Sequence, residues 1–145
     1  MIYVDAEACP VKEEIYRVAR RYGIDVSVVA NSFINVPQEP GLQRVMVDGG
    51  FDAADDWIAE RAGAGDIVVT ADIPLAGRCL KAGAAVIGND GRPFTQASIG
   101  MALAGRALMA DLRAMGEVTG GPKPMAKTDR SRFLSALDEA VMRLM

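Results

Sequence analysis

Short apolar runs alternate along the chain with segments whose apolar residues recur at helical spacing. Met1–Val4 reads as a buried strand that ends at Asp5, and Pro10 opens a helix that Gly23 stops after Tyr22. The β-branched run Asp25–Ala30 (DVSVVA) predicts a second strand. Asn31–Gly41, with Pro37 and Pro40, reads as a loop, and Arg44–Val47 as a short strand closed by Gly49-Gly50. A helix follows over Asp52–Ala62, then a strand at Asp66–Thr70 (DIVVT), a helix at Pro74–Ala82 and a strand at Ala84–Ile87. Gly88-Asn89-Asp90-Gly91 is a turn, and Thr95 caps a long helix reaching about Met115. Glu117–Thr128 reads as a loop, and a last helix starts near Asp129.

Five apolar strands separated by helices predict a single α/β domain around a mostly parallel sheet. The C-terminal loop and helix, about 117–145, are expected to pack on it. Neither repeats nor low-complexity tracts interrupt the pattern. In open sheets of this type, sites form at the carboxyl ends of the strands.

That rule selects particular acids. Asp5 follows the first strand directly, Asp72 follows DIVVT by two residues, and Asp90 follows AAVIG by two. On the 52–62 helix, Asp55 shares the apolar stripe of Ile58, Ala59 and Ala62, whereas Asp56 faces Glu60. Asp55 is therefore the acid expected to point inward. Each such residue has a structural alternative: a strand-end Asp commonly caps a helix or forms a turn. The turn role is favoured for Asp90 and Asp48, and Asp52 reads as a helix cap. Three acids converging at one edge are harder to explain that way.

Composition narrows the chemistry further. The 145-residue chain contains no histidine. Imidazole-based nucleophilic pairs and His-containing zinc sites within one chain are therefore excluded. Convergent carboxylates alone suit Mg²⁺ or Mn²⁺, which prefer oxygen ligands, and which activate water and stabilise phosphoryl charge. Asp5, Asp55 and Asp72 are the candidate catalytic residues, and the same three with Asp90 are the candidate metal ligands.

The chain has 19 acids against 16 bases, a net charge of -3. A uniformly basic polyanion-binding surface is thereby excluded. A local excess of +3 remains where Lys123, Lys127, Arg130 and Arg132 face Asp129 alone (4 − 1). This segment is a candidate backbone-phosphate groove, against the alternative of a solvated stretch. Lys12 and Asn31 are further candidates for phosphate or polar contacts; their alternatives are a solvated lysine and a turn former.

Cys9 opens a helix, which can lower a thiol pKa, yet no Arg cradle or second Cys accompanies it, so packing is the favoured role. Asp5-x-Glu7 only partly matches the D-x-D of phosphatases that use an aspartyl nucleophile. The two widely spaced cysteines, with neither a leader nor a membrane-length apolar run, predict reduced thiols in a cytoplasmic protein without a membrane partner.

Several segments together carry a resemblance. They are D-A-E-A-C-P-V-K (5–12), V-A-N (29–31), G-F-D-A-A-D-D (50–56), G-D-I-V-V-T-A-D-I-P-L-A (65–76), G-G-P (120–122) and D-R-x-x-F (129–133). In this order they resemble the YaiI/YqxD family of uncharacterised bacterial proteins, a family grouped with the PIN-like domains. That resemblance implies a three-layer α/β/α sandwich and a Mg²⁺- or Mn²⁺-dependent ribonuclease ancestry, with RNA as the partner. Asp5 matches the acid ending the first PIN strand, Asp55-x-x-Ile58-Ala59 the D-x-x-I-A motif, and Val69-Thr70-Ala71-Asp72 the V-T-x-D motif. One position departs: PIN nucleases often carry an acid two residues after the V-T-x-D aspartate, and Pro74 stands here. The departure motivates an alternative reading, a catalytically weak or inactive PIN-like module that binds RNA or protein.

Overall fold

The computed structural model describes residues 1–6, 9–47, 52–100 and 127–144. Its elements run β1 (Ile2–Asp5), α1 (Lys12–Tyr22), β2 (Val26–Ala30), β3 (Leu42–Met46), α2 (Ala53–Arg61), β4 (Ile67–Val69), α3 (Ile73–Lys81), β5 (Ala85–Ile87) and α4 (Lys127–Leu144). The strands form one five-stranded sheet in the order β3-β2-β1-β4-β5. Every pairing between them is parallel.

Two apolar layers explain why these segments form central strands. Ile2, Val4, Val26, Val28, Ile67 and Val69 face α1 and α4, which contribute Ile15, Tyr16, Phe133 and Leu137. The alternate residues Tyr3, Val29, Val68 and Val86 face α2 and α3, which contribute Ile58, Leu75, Ala76 and Cys79. Strands buried on both faces need continuous Val/Ile character, as this sequence has. The result is the expected α/β/α sandwich. Edge strand β3 is half-buried only at Leu42 and Val45 and exposed at Gln43, Arg44 and Met46.

Element ends follow local chemistry. Gly23 ends α1 in the left-handed conformation at φ 65°, its N–H bonded to the carbonyl of Ala19. Thr95 and Ser98 exchange side-chain and backbone hydrogen bonds of 3.0 and 2.7 Å at the start of the helix entered at residue 96. The rest of the expected 95–115 helix, and most of the 117–128 loop, lie outside the described residues. The last helix starts at Lys127, two residues before the expected position.

The chain order sets where a site can form. From central β1 the chain moves outward through β2 to β3, then returns to the other side of β1 for β4 and β5. Helix α1 lies on one face and α3 on the other. The carboxyl ends of β1 and β4 therefore flank the point where connections diverge, the usual crevice of a doubly wound sheet.

Candidate functional site

Asp5 and Asp72 meet at that crevice through a residue between them. Thr70, directly after β4 and only 1% exposed, donates its hydroxyl hydrogen to Oδ2 of Asp5 at 2.8 Å. The same hydroxyl oxygen accepts the N–H of Asp72 at 3.0 Å. Asp72 in turn is the N-cap of α3, its Oδ1 accepting the N–H of Leu75 at 2.9 Å. Pro74 occupies the first turn of α3, where its missing N–H costs nothing. The position that departs from the PIN pattern therefore has a helix-starting role.

Asp55 reaches the same place from the layer above. Tyr3 and Trp57 pack edge to face, ring centroids 6.0 Å apart, and Ala54 and Ile58 are buried beneath α2. This seats the helix over β1, on the face to which Tyr3 and, by alternation, Asp5 belong. Burial pushes the Asp55 carboxyl up to about 6, reinforced by the negative charges of Asp72, Asp5 and Asp52. Arg78 opposes the shift but is itself bound to Asp56, 2.7 Å away across the α2–α3 contact. Asp56 is exposed and ion-paired, Asp55 half-buried among acids, as the helix stripe predicts.

Asp52 joins this field from the α2 N-terminus. It occupies the cap position without making a side-chain cap hydrogen bond, so the expectation of a capping role is corrected. Asp48 lies outside the described residues. Asp90 is committed to its own turn: its Oδ1 accepts the N–H of Arg92 at 3.0 Å, and its carboxylate stands 3.6 Å from the Arg92 guanidinium. It is absent from the charges that act on Asp55.

The proposed phosphate contacts scatter. The ammonium of Lys12 donates to the carbonyl of Cys9 at 2.7 Å and to that of Ala6 at 3.4 Å, closing the turn after β1. Arg130 of α4 donates to the carbonyl of Pro10 at 2.7 Å and pairs with Glu14 at 3.4 Å. Two cations thus hold the β1–α1 connection, one of them from the far end of the chain. Arg132 lies 3.9 Å from Asp129, so the local positive charge is partly neutralised. Lys127 is exposed at the start of α4, and Asn31 is exposed one residue beyond β2. Lys123 lies outside the described residues.

Cys9 is buried, and burial pushes its thiol up rather than down. This burial agrees with the favoured packing role and works against the lowering that a helix start can bring. Thr70 is the residue whose part in the site the sequence reading missed. A hydroxyl at the end of a β-branched run looks like one more strand former, but Thr70 is one of two buried polar residues among those described, with Ser27. A buried hydroxyl needs partners, and here they are two of the candidate acids.

The donor set is all oxygen and strongly anionic, which fits a hard divalent cation in kind and charge. Among the described residues, no three Cys, Asp or Glu side chains stand close enough together to enclose one. None of the described helices is long and apolar enough to cross a membrane.

The chain matches, over residues 3–143, the family described as "Uncharacterized BCR, YaiI/YqxD family". It is 64% identical over 143 residues to a UPF0178 protein of Rhodopseudomonas palustris, covering 99% of this chain and 92% of that protein. It is 64% identical to a UPF0178 protein of Nitrobacter winogradskyi, with 99% and 91% covered. A UPF0178 protein of Bradyrhizobium diazoefficiens is 65% identical, with 99% and 86% covered. No solved structure matches the chain. The motifs at the strand ends and the match over nearly its whole length agree: the chain belongs to the YaiI/YqxD family.

Proposed function

We propose that the chain is a PIN-like, divalent-metal-dependent phosphodiesterase acting on RNA, with Asp5, Asp55 and Asp72 as the carboxylate centre. The observation that supports this most is that Asp5 and Asp72 are joined through Thr70 at the ends of β1 and β4, and that both act electrostatically on Asp55 of α2. The proton affinity of Asp55 is raised first by burial and then by its acidic neighbours, so part of the cost of gathering like charges is visible there. A cation relieves the same repulsion that a proton does. Bound Mg²⁺ or Mn²⁺ supplies an activated water and stabilises charge developing on a phosphoryl oxygen.

The residues of the chain divide the remaining work. Thr70 fixes the separation of Asp5 and Asp72, and the α2–α3 contact holds Asp55 over them. Asn31, Lys123 and Lys127 are the proposed contacts to phosphate. Lys12 and Arg130 serve the site by fixing the loop that follows Asp5. Asp90 belongs to the neighbouring turn and is the weakest member of the proposed set.

One observation favours a second reading, a binding module without efficient catalysis. The described carboxylates are not drawn together as a formed three-ligand site, and Pro74 stands where a further acid is common.

Incubation of end-labelled single-stranded RNA with the protein and Mn²⁺ tests the first reading. Cleavage is expected for the wild type and is expected to be lost in Asp55→Asn and Asp72→Asn. A wild type that leaves RNA intact, or variants that cleave equally, contradict hydrolysis at this centre. RNA binding that survives chelation of the metal, without cleavage, supports the second reading.

A further inference from the structure

We infer that Phe33 and Arg44, with the cleft beside them, form a stacking subsite for one unpaired base of a single-stranded nucleic acid. Phe33 lies in the β2–β3 loop and is 64% exposed, an unusual placement for a large apolar ring. The Arg44 guanidinium stands over that ring, 4.5 Å from its centroid. Arg20, Arg78 and Arg130 each meet a carboxylate. Arg44 has no ion-pair partner among the described residues. A planar cation over an exposed ring, with no carboxylate partner among the described residues, matches a ligand that offers both a π face and a nearby anion. Nucleotides carry both.

The surroundings fit a base. A cleft of about 180 Å³ lies against Arg44, walled by Val36, Pro37 and Leu42 and bordered by Gln38. The side chains of Val36, Pro37 and Leu42 offer apolar contacts to the faces of a base within a lining of mixed polarity, and the Gln38 amide can both donate to and accept from a base edge. Stacking platforms for single strands combine aromatic rings with arginine in this way.

Placement connects the subsite to the acids. Asp5 pairs with Val29 in the sheet register, and the chain leaves the same carboxyl edge at Asn31 to reach Phe33 two residues on. Arg44 pairs with Val28, whose side chain faces α1, so the subsite lies on the opposite face of the sheet from Asp55. A strand that reaches both the acids and Phe33 must therefore cross the sheet beyond β2. The inference rests on the reading that the chain binds nucleic acid, and it adds where a base is held.

Fluorescence anisotropy with a labelled ten-nucleotide strand, in EDTA, tests it apart from catalysis. RNA and DNA strands of one sequence are run in parallel to separate the two sources. Binding is expected to weaken about tenfold or more in Phe33→Ala and to be retained in Phe33→Trp, which keeps a stacking face. Arg44→Lys is expected to bind less tightly than the wild type, because charge without the planar guanidinium does not stack. An abasic strand of equal length is expected to bind the wild type as weakly as the normal strand binds Phe33→Ala. Absence of wild-type binding, equal binding by Phe33→Ala, or equal binding of the abasic strand overturns the inference. Phe33-dependent binding without Mn²⁺-dependent cleavage would uphold it while hydrolysis fails. Cleavage with Phe33-independent binding would do the reverse.

Discussion

Thr70 donates to Asp5 and accepts from the N–H of Asp72 through one hydroxyl, joining the ends of β1 and β4. Replacing it by the near-isosteric valine removes the donor to a half-buried carboxylate oxygen of Asp5 and the acceptor of the Asp72 N–H. Thr70→Val is expected to destabilise the protein by about 1–3 kcal/mol, and Thr70→Ser to lose far less. Urea denaturation of the two variants distinguishes them; equal stability would mean the hydroxyl does not join the two ends.

Asp72 caps α3 in addition to its proposed role. Asp72→Ala removes the acceptor for the Leu75 N–H and is expected to cost about 0.5–2 kcal/mol. Asp72→Asn keeps an acceptor and should fold nearly as well. Thermal melting of both shows whether an activity lost in the Asn variant reflects chemistry rather than unfolding.

Two glycines with positive φ should respond differently to alanine. Gly23 has open space where a Cβ would stand, so Gly23→Ala carries only conformational strain, about 1–2 kcal/mol. A Cβ on Gly91 would meet the Cα of Phe133 at 3.0 Å and the carbonyl of Arg132 at 3.1 Å. Gly91→Ala must therefore also displace α4, for a total above about 3 kcal/mol. Chemical denaturation that ranked Gly23→Ala as the worse substitution would contradict this packing of α4 on the turn after β5.

Arg130 ties α4 to the loop that follows Asp5. A double-mutant cycle of Arg130→Ala and Glu14→Gln is expected to give a coupling of about 1 kcal/mol or less, because the contact is long at 3.4 Å and the arginine side chain is still 41% exposed. The larger expected consequence is local. Hydrogen exchange should rise in the β1–α1 connection, which loses the Pro10 carbonyl contact as well.

The sandwich was legible because each central strand is a short Val/Ile run, and because Gly23 stops α1 and Asp72 with Pro74 starts α3. Asp5 and Asp72 were legible because strand-end position needs no tertiary information. Asp55 could be distinguished from Asp56 by helical spacing alone. What sequence could not supply was pairing at long range. Arg130 and Glu14 are 116 positions apart, and nothing in a basic segment announces that one arginine closes a loop near the other end of the chain. Asp52 and Asp90 share the same local pattern of an acid beside a turn. Only the fold separates the one that adds its charge to Asp55 from the one that pairs with Arg92.

The raised Asp55 pKa has a definite sign in metal-free buffer. A carboxyl that holds its proton more tightly when folded stabilises the protein at low pH. That contribution is lost as pH rises from about 4 through about 6. Asp55→Asn removes the penalty, so it should melt above the wild type at pH 7 and converge toward it at pH 4. A variant that melts below the wild type at pH 7 would mean that burial and the surrounding acids do not oppose the charge of Asp55.

A divalent cation at the carboxylate centre should relieve that penalty in the wild type alone. Melting at pH 7 with and without millimolar Mn²⁺ is therefore the most direct measurement of the central claim. The account predicts that Mn²⁺ raises the wild-type melting temperature and leaves that of Asp55→Asn unchanged. An unshifted wild type, or an equal shift in both proteins, would contradict a metal site at Asp5, Asp55 and Asp72.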